Sequence, residues 1–343
     1  MGNGFMVICR LFKFDGVLDG YDRSGWFGTM DLLRGTMLKV IKYSLLPVIY
    51  SGMFGCQSDS ASDIDGMVSE LTEKAVLDQV FIEGGTFEMG DFGATQNGQW
   101  LPYFPPTAEI DKAHTVHLSN YSLSAYETTW QDFDTFNLIH DGPIMIRGGG
   151  EEYAREPYVQ NVEDEYHNSK PARVTWREAK DYCLWLADKT GIAFDLPTSA
   201  QWEFAARNRG SKDWLYPTHD GKIAPDSDER NGKGCSFWTG RCFVGTDLPP
   251  NPLGLYDMAG NATEWVNDWY SETYYQESDG AKDPQGPLDG TEKVIRSLRL
   301  GSLSFSFSLT SYPETLSDGS LGLAGFRCAV QSTEPISSFA SAP

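Results

Sequence analysis

Three segments of the chain begin with a threonine followed three residues later by a glutamate or glutamine: Thr128 with Gln131, Thr175 with Glu178, and Thr198 with Gln201. Such a pair satisfies N–H groups left open at a helix start, so it fixes where a helix can begin. The second carries the clearest pattern. Ala179, Tyr182, Cys183 and Leu186 fall at i, i+3, i+4 and i+7, and Gly191 supplies the stop. The first leads into Phe133 and Phe136, the third into Trp202, Ala205 and Arg209 before Gly210. Residues 67–79 read as a further short helix. Elsewhere 35 Gly and 18 Pro cut the chain into short strands, such as Val80–Met89, Thr115–Tyr121 and Lys293–Arg299, joined by long loops. No repeat period stands out. Few helices among many irregular segments indicate an α+β fold.

Hydrophobic residues make up 40% of the 343, enough for a sizeable core. The formal charge of −21 argues against nucleic acid as a partner, because phosphate binding needs clustered Lys and Arg. Acidity of this kind fits a secreted or cation-binding protein, and equally simple solubility. No run of eighteen apolar residues offers an ordinary transmembrane helix. Residues 37–56, MLKVIKYSLLPVIYSGMFGC, nevertheless have the layout of a signal peptide: Lys39 and Lys42, then an apolar stretch, then Gly55-Cys56. The ending resembles a bacterial lipobox, which makes Cys56 the lipidation site and mature N-terminus, and Gln57 behind it points to the outer membrane. Phe54 departs from the usual small residue, and a buried helix is the plain alternative. The run starts late, so residues 1–36 read as a doubtful upstream extension with translation starting at Met37. Residues 57–79 then form a tether, 80–332 one compact domain, and 333–343 a polar tail.

Several blocks in the domain carry a family resemblance. They are GGTFEMG (84–90), VHLSNYSLSAYETTWQDF (116–133), ARVTWREAKDYCLWLADKTGIAFDLPTSAQWEFAAR (172–207), NPLGLYDMAGNATEWVNDW (251–269) and GFRCAV (325–330). In this order they resemble the formylglycine-generating enzyme, or sulfatase-modifying factor, family. The resemblance spans about residues 80–330 and implies that family's α+β fold, distantly like C-type lectins.

Enzymes of the family oxidise a sulfatase cysteine with a copper-binding cysteine pair, chemistry suited to soft thiolates. The pair follows a motif matched here by Arg299–Ser302. Counting onward, the two positions fall on Phe305 and Thr310, so both thiols are absent. Copper is therefore not expected, and ordinary formylglycine generation is not implied. A related iron branch needs clustered histidines. Of the five here only His114 and His117 are close, and on a strand they face opposite sides.

The resemblance also implies a disulfide between Cys183 and Cys328. A second family bridge would join the positions of Ala206 and Thr315, and both cysteines are missing. Cys235 and Cys242 are then left to pair with each other, with buried free thiols as the alternative. The turn Asp257–Glu264 implies a calcium ion held by the side chains of Asp257 and Glu264 and the carbonyls of Gly260 and Ala262. Such oxygens suit calcium, although the residues alone read as an ordinary turn. A weaker second site would use Asn231.

From Ser302 to Thr310 hydroxyl residues alternate with Leu or Phe, the period of a half-buried strand. The same stretch lies where some lectin-like relatives carry diversified ligand-binding residues. Ser304, Phe305, Ser306, Phe307, Ser308, Thr310 and Tyr312 thus form a candidate binding surface within 302–324. The reading that follows is a lipid-anchored extracytoplasmic protein whose domain binds an unidentified ligand or protein partner without catalysis. The alternatives are an oxidase of altered chemistry and a structural component of an envelope machine.

Overall fold

The computed structural model describes residues 59–102, 105, 108–148, 151–222, 242–246, 249–297, 310–312 and 322–336. Cys56, Asn231, Cys235, Ser304, Phe305, Ser306, Phe307 and Ser308 lie outside these, as does the whole leader. The first element is a helix, α1 (Asp59–Leu77). It begins well before residue 67, so most of the stretch expected as a tether is helix. Leu71 is buried, and Val68, Ala75 and Val76 pack beside it.

Four strands make the central sheet: β1 (Gln79–Ile82), β6 (Tyr121–Ser124), β14 (Ala329–Val330) and β9 (Phe194–Asp195), in that order and all antiparallel. A second sheet joins β2 (Gly85–Met89) to β5 (His114–Leu118), with β11 (Ala281–Lys282) parallel on the far side. A third joins β10 (Glu264–Trp269), β12 (Lys293–Arg296) and β13 (Thr310–Tyr312). Two hairpins, β3 (Ala94–Gln96) with β4 (Gln99–Leu101) and β7 (Met145–Gly148) with β8 (Glu151–Ala154), complete the described strands.

The remaining helices are α2 (Trp130–Ile139), α3 (Trp176–Thr190), α4 (Ser199–Ala206) and the single turn α5 (Tyr274–Glu277). Two capping boxes stand where the sequence placed them. Thr175 donates its N–H to Glu178 at 2.9 Å, and Thr198 donates its own to Gln201 at 2.9 Å. Gly191 closes α3 in the left-handed region at φ 69°, where glycine carries no steric penalty. The first box is displaced by one residue. Thr129, not Thr128, caps α2, and its N–H and hydroxyl both donate to Asp132. Thr128 is engaged in strand-like pairing instead: its N–H donates to Phe326 O at 2.9 Å, and its carbonyl accepts from Ala172.

Alternation sorts the core into two clusters. On β14 Ala329 joins Ile82, Leu123, Trp202 and Phe204, while Val330 joins Phe133, Tyr182, Leu186 and Phe326. On β10 Val266 faces the first cluster and Trp265 the second. A disulfide from Cys183 on α3 to Cys328 spans 145 residues and anchors the second cluster.

Candidate functional site

The GFRC segment brings the distant sequence blocks together. Gly325 must be glycine, because a Cβ there would lie 2.8 Å from Ala262 Cβ and 3.3 Å from Thr263 O. Its N–H donates to Thr263 O, and Trp265 N–H donates back to Gly325 O. This tight crossing delivers Arg327, fully buried, to the base of the 257–264 turn.

Arg327 donates Nη2 to Glu264 Oε1 at 2.7 Å and Nε to Glu264 Oε2 at 2.9 Å. Its remaining N–H groups reach the carbonyls of Ser124, Ala125 and Tyr256 at 2.8–3.1 Å. Trp202 Nε1 adds a further donor to Glu264 Oε2 at 2.9 Å. Glu264 is therefore an immobile counter-ion inside the protein, a role the sequence did not give it.

The turn itself is contorted. Asp257, Gly260 and Asn261 all lie at positive φ, between 51° and 88°. Asp257 is buried, and its Oδ2 accepts the Gly245 N–H at 2.6 Å. Asn261 accepts the Cys242 N–H at 2.7 Å, and the Gly260 N–H donates to Ser297 at 3.1 Å. Glu127, in the segment that follows β6, reaches the same place. Its Oε2 accepts from Asn261 Nδ2 and its Oε1 from the Ala262 N–H at 3.0 Å. Burial, and then the charges of Asp257 and Glu264, push the Glu127 carboxyl well above the usual carboxylate range, while Arg327 and the Ala262 amide pull the other way.

The structure thus brings Asp257, Gly260, Ala262 and Glu264 together on one buried turn and adds Glu127, which the sequence reading missed. Its partners lie about 130 residues away in the chain, so no local pattern marks it. Cys242 is disulfide-bonded, and Cys235, its expected partner, lies outside the described residues. Thr310 and Tyr312 sit on β13, in register with Ile295 and Lys293 of β12. His114 is buried and His117 exposed, on opposite sides of β5 as expected.

The family described as "Sulfatase-modifying factor enzyme 1-like domain" matches residues 65–332. The chain belongs to this family. The formylglycine-generating enzyme of Thermomonospora curvata is 31% identical over 300 residues, covering 73% of this chain and 92% of that enzyme. The serine/threonine-protein kinase pkn1 of Chlamydia pneumoniae is 28% identical over 263 residues, covering 74% of this chain. The match spans only 38% of that kinase's length. Among solved structures, PvdO from Pseudomonas aeruginosa superposes with a TM-score of 0.56 at 24% identity, covering 74% of this chain and 94% of that one. The fold is that of the sulfatase-modifying factor family.

Calcium is implied by that family, and the turn fits it by charge. Three buried carboxylates lie together, and Glu127 resists ionisation first because it is buried and then because of the other two. A bound cation would relieve this. Among the described residues no group of three or more His, Cys, Asp or Glu side chains is arranged to hold a metal. The donor set here relies on main-chain carbonyls, so Asp257 with the carbonyls of Gly260 and Ala262 would hold the ion. Glu264 would act through the field it shares with Arg327.

Proposed function

We propose that this member of the family is a binding module rather than a copper oxidase, held at the bacterial cell envelope by a lipid on Cys56. One observation supports this above the others: counted from Arg299–Ser302, the positions of the copper-binding thiols hold Phe305 and Thr310. Neither side chain can replace a Cu(I) thiolate. Cys183, Cys242 and Cys328 are all tied up in disulfides. The ligand or protein partner is recognised through the 302–324 stretch, whose alternating Ser and Phe give small polar and aromatic contacts, a mixture suited to adaptable recognition. Calcium at the 257–264 turn stiffens the domain.

The deciding experiment incubates the purified chain with Cu(I), oxygen and a sulfatase-derived cysteine peptide, and follows the cysteine by mass spectrometry. No aldehyde should form, and its formation would overturn the reading. Metal analysis of the same preparation should find calcium and no copper. For the anchor, Cys56→Ser should move the protein from the membrane fraction to the soluble fraction of its host; continued membrane retention would count against lipidation.

A further inference from the structure

We propose that the cavity between α1 and α2 binds a short neutral glycan. This goes beyond the module's proposed use of its 302–324 surface, and none of the 257–264 turn lines the cavity. The cavity holds about 490 Å³, within the range of about 300–1,000 Å³ common to ligand sites. A disaccharide fits comfortably in that space.

The chemistry of the walls selects the ligand class. Lys74 of α1 is the cation of the lining, but it donates to Asp78 at 3.0 Å and to Asp132 at 3.1 Å. Its charge is already answered, and Glu70 adds a further carboxylate. An anionic ligand would therefore find no favourable field. The rest of the polar lining is neutral: the amides of Gln131, Gln160 and Asn168 and the hydroxyls of Thr135 and Tyr158. Amides donate and accept side by side, which matches adjacent sugar hydroxyls. Gln131 uses its Oε1 to accept from Asn168 Nδ2 at 3.3 Å, and its Nε2 is left to donate elsewhere. Met67 and Leu71 provide an apolar wall for the C–H face of a pyranose ring.

The site is also pre-formed. Tyr158 stands at φ 55°, a conformation bulky residues rarely adopt. It is held there by its N–H, which donates to Asp134 Oδ2 at 3.1 Å, and by its hydroxyl, 3.0 Å from Thr135 Oγ1. Asp134 is gripped in turn by Arg155, whose guanidinium lies 4.8 Å from the Trp130 ring and 4.7 Å from the Tyr166 ring. Strain persists where the surroundings over-determine it, and ligand sites are where such strain collects. A ring fixed at a cavity wall gives stacking area with little ordering cost on binding.

The test is calorimetric titration of the full chain with cellobiose, maltose and diacetylchitobiose, with spermidine and inorganic phosphate as separate arms. At least one disaccharide should bind at one site per chain. Gln131→Ala and Gln160→Ala, both on exposed side chains, should each weaken it about tenfold, the worth of one good hydrogen bond. Met67→Trp should crowd the apolar wall of the cavity and weaken binding further. Thermal melting of all three variants should match that of the parent chain. Absence of binding by all three sugars would overturn the proposal. So would binding of spermidine or phosphate alone, or unchanged sugar affinity in Met67→Trp.

Discussion

Two buried ion networks stabilise this protein, and they are balanced differently. In the first, Glu203 Oε1 accepts from Arg207 Nε at 2.9 Å, and its Oε2 forms an ion pair with Arg296 at 3.2 Å. Arg296 also donates to Ser199 Oγ and Tyr275 OH, and Asp268 accepts the Ser199 N–H at 2.8 Å. Lys293 lies 3.7 Å from the rings of both Trp176 and Trp269. Cations and carboxylates alternate through this network. In the second, Glu127, Asp257 and Glu264 bear on one another while Arg327 is committed to Glu264. In the first network each carboxylate faces a cation, although among the described residues Glu203 Oε2 meets Arg296 by charge alone and accepts no hydrogen bond. The second carries an excess of carboxylate over guanidinium, and burial together with the neighbouring acids makes Glu127 hold its proton more strongly than an ordinary glutamate. Burial is equal in both; what separates them is the balance of charge.

The strongest way to break the comparison is Arg327→Ala. It strips the only guanidinium bonded to Glu264 among the described residues, and should cost about 3–5 kcal/mol in urea unfolding, the usual result of orphaning a buried charge. Glu203→Gln in the balanced network should cost less, about 1.5–3 kcal/mol, because the amide keeps an acceptor for one arginine. If the two losses came out reversed, the Arg327 network would not be the more critical one. Thr175→Ala touches neither network and should cost about 1 kcal/mol, the value of a helix cap.

Glu127→Gln gives the smallest and sharpest effect. Folded Glu127 holds its proton to a higher pH than the unfolded chain does. Its contribution to stability is full below the ordinary glutamate value and is lost as pH rises through the folded-state value. In chelator the neutral glutamine should therefore flatten that loss, leaving the variant more stable than the parent at the alkaline end of the melting series. Calcium should reverse the order, because it stabilises the charged carboxylate. Identical melting-versus-pH curves for parent and variant would show that Glu127 does not carry the excess.

What the sequence made legible was local. The boxes at Thr175 and Thr198 and the stop at Gly191 are contacts within a few residues, and they stand as read. The first box slipped to Thr129 because Thr128 is taken by Phe326, almost 200 residues downstream. The start of α1 was hidden for a similar reason: Ser and Asp around residues 58–65 resemble a solvated linker unless the packing of Leu71 is known. The family blocks located the 257–264 turn, and the resemblance implied Glu264 as a calcium ligand, with no sign of a buried arginine beside it. Only its three-dimensional neighbours, Arg327 and Trp202, show where its lone pairs go. The cavity beside Tyr158 gave no sequence signal, since its walls come from three separate segments.

The place of β14 in the central sheet has one more consequence. Its two residues, Ala329 and Val330, pair with β6 on one side and β9 on the other. The last described strand in the chain is therefore an interior member of the sheet. As the polypeptide is made, β6 and β9 have no common neighbour until residue 330 has emerged, and Arg327 and Cys328 arrive with the same segment. The domain is built to close late, like an arch awaiting its keystone. A chain stopped a few dozen residues short would lose its central pairing, its Arg327 hub and its long covalent tie in a single cut.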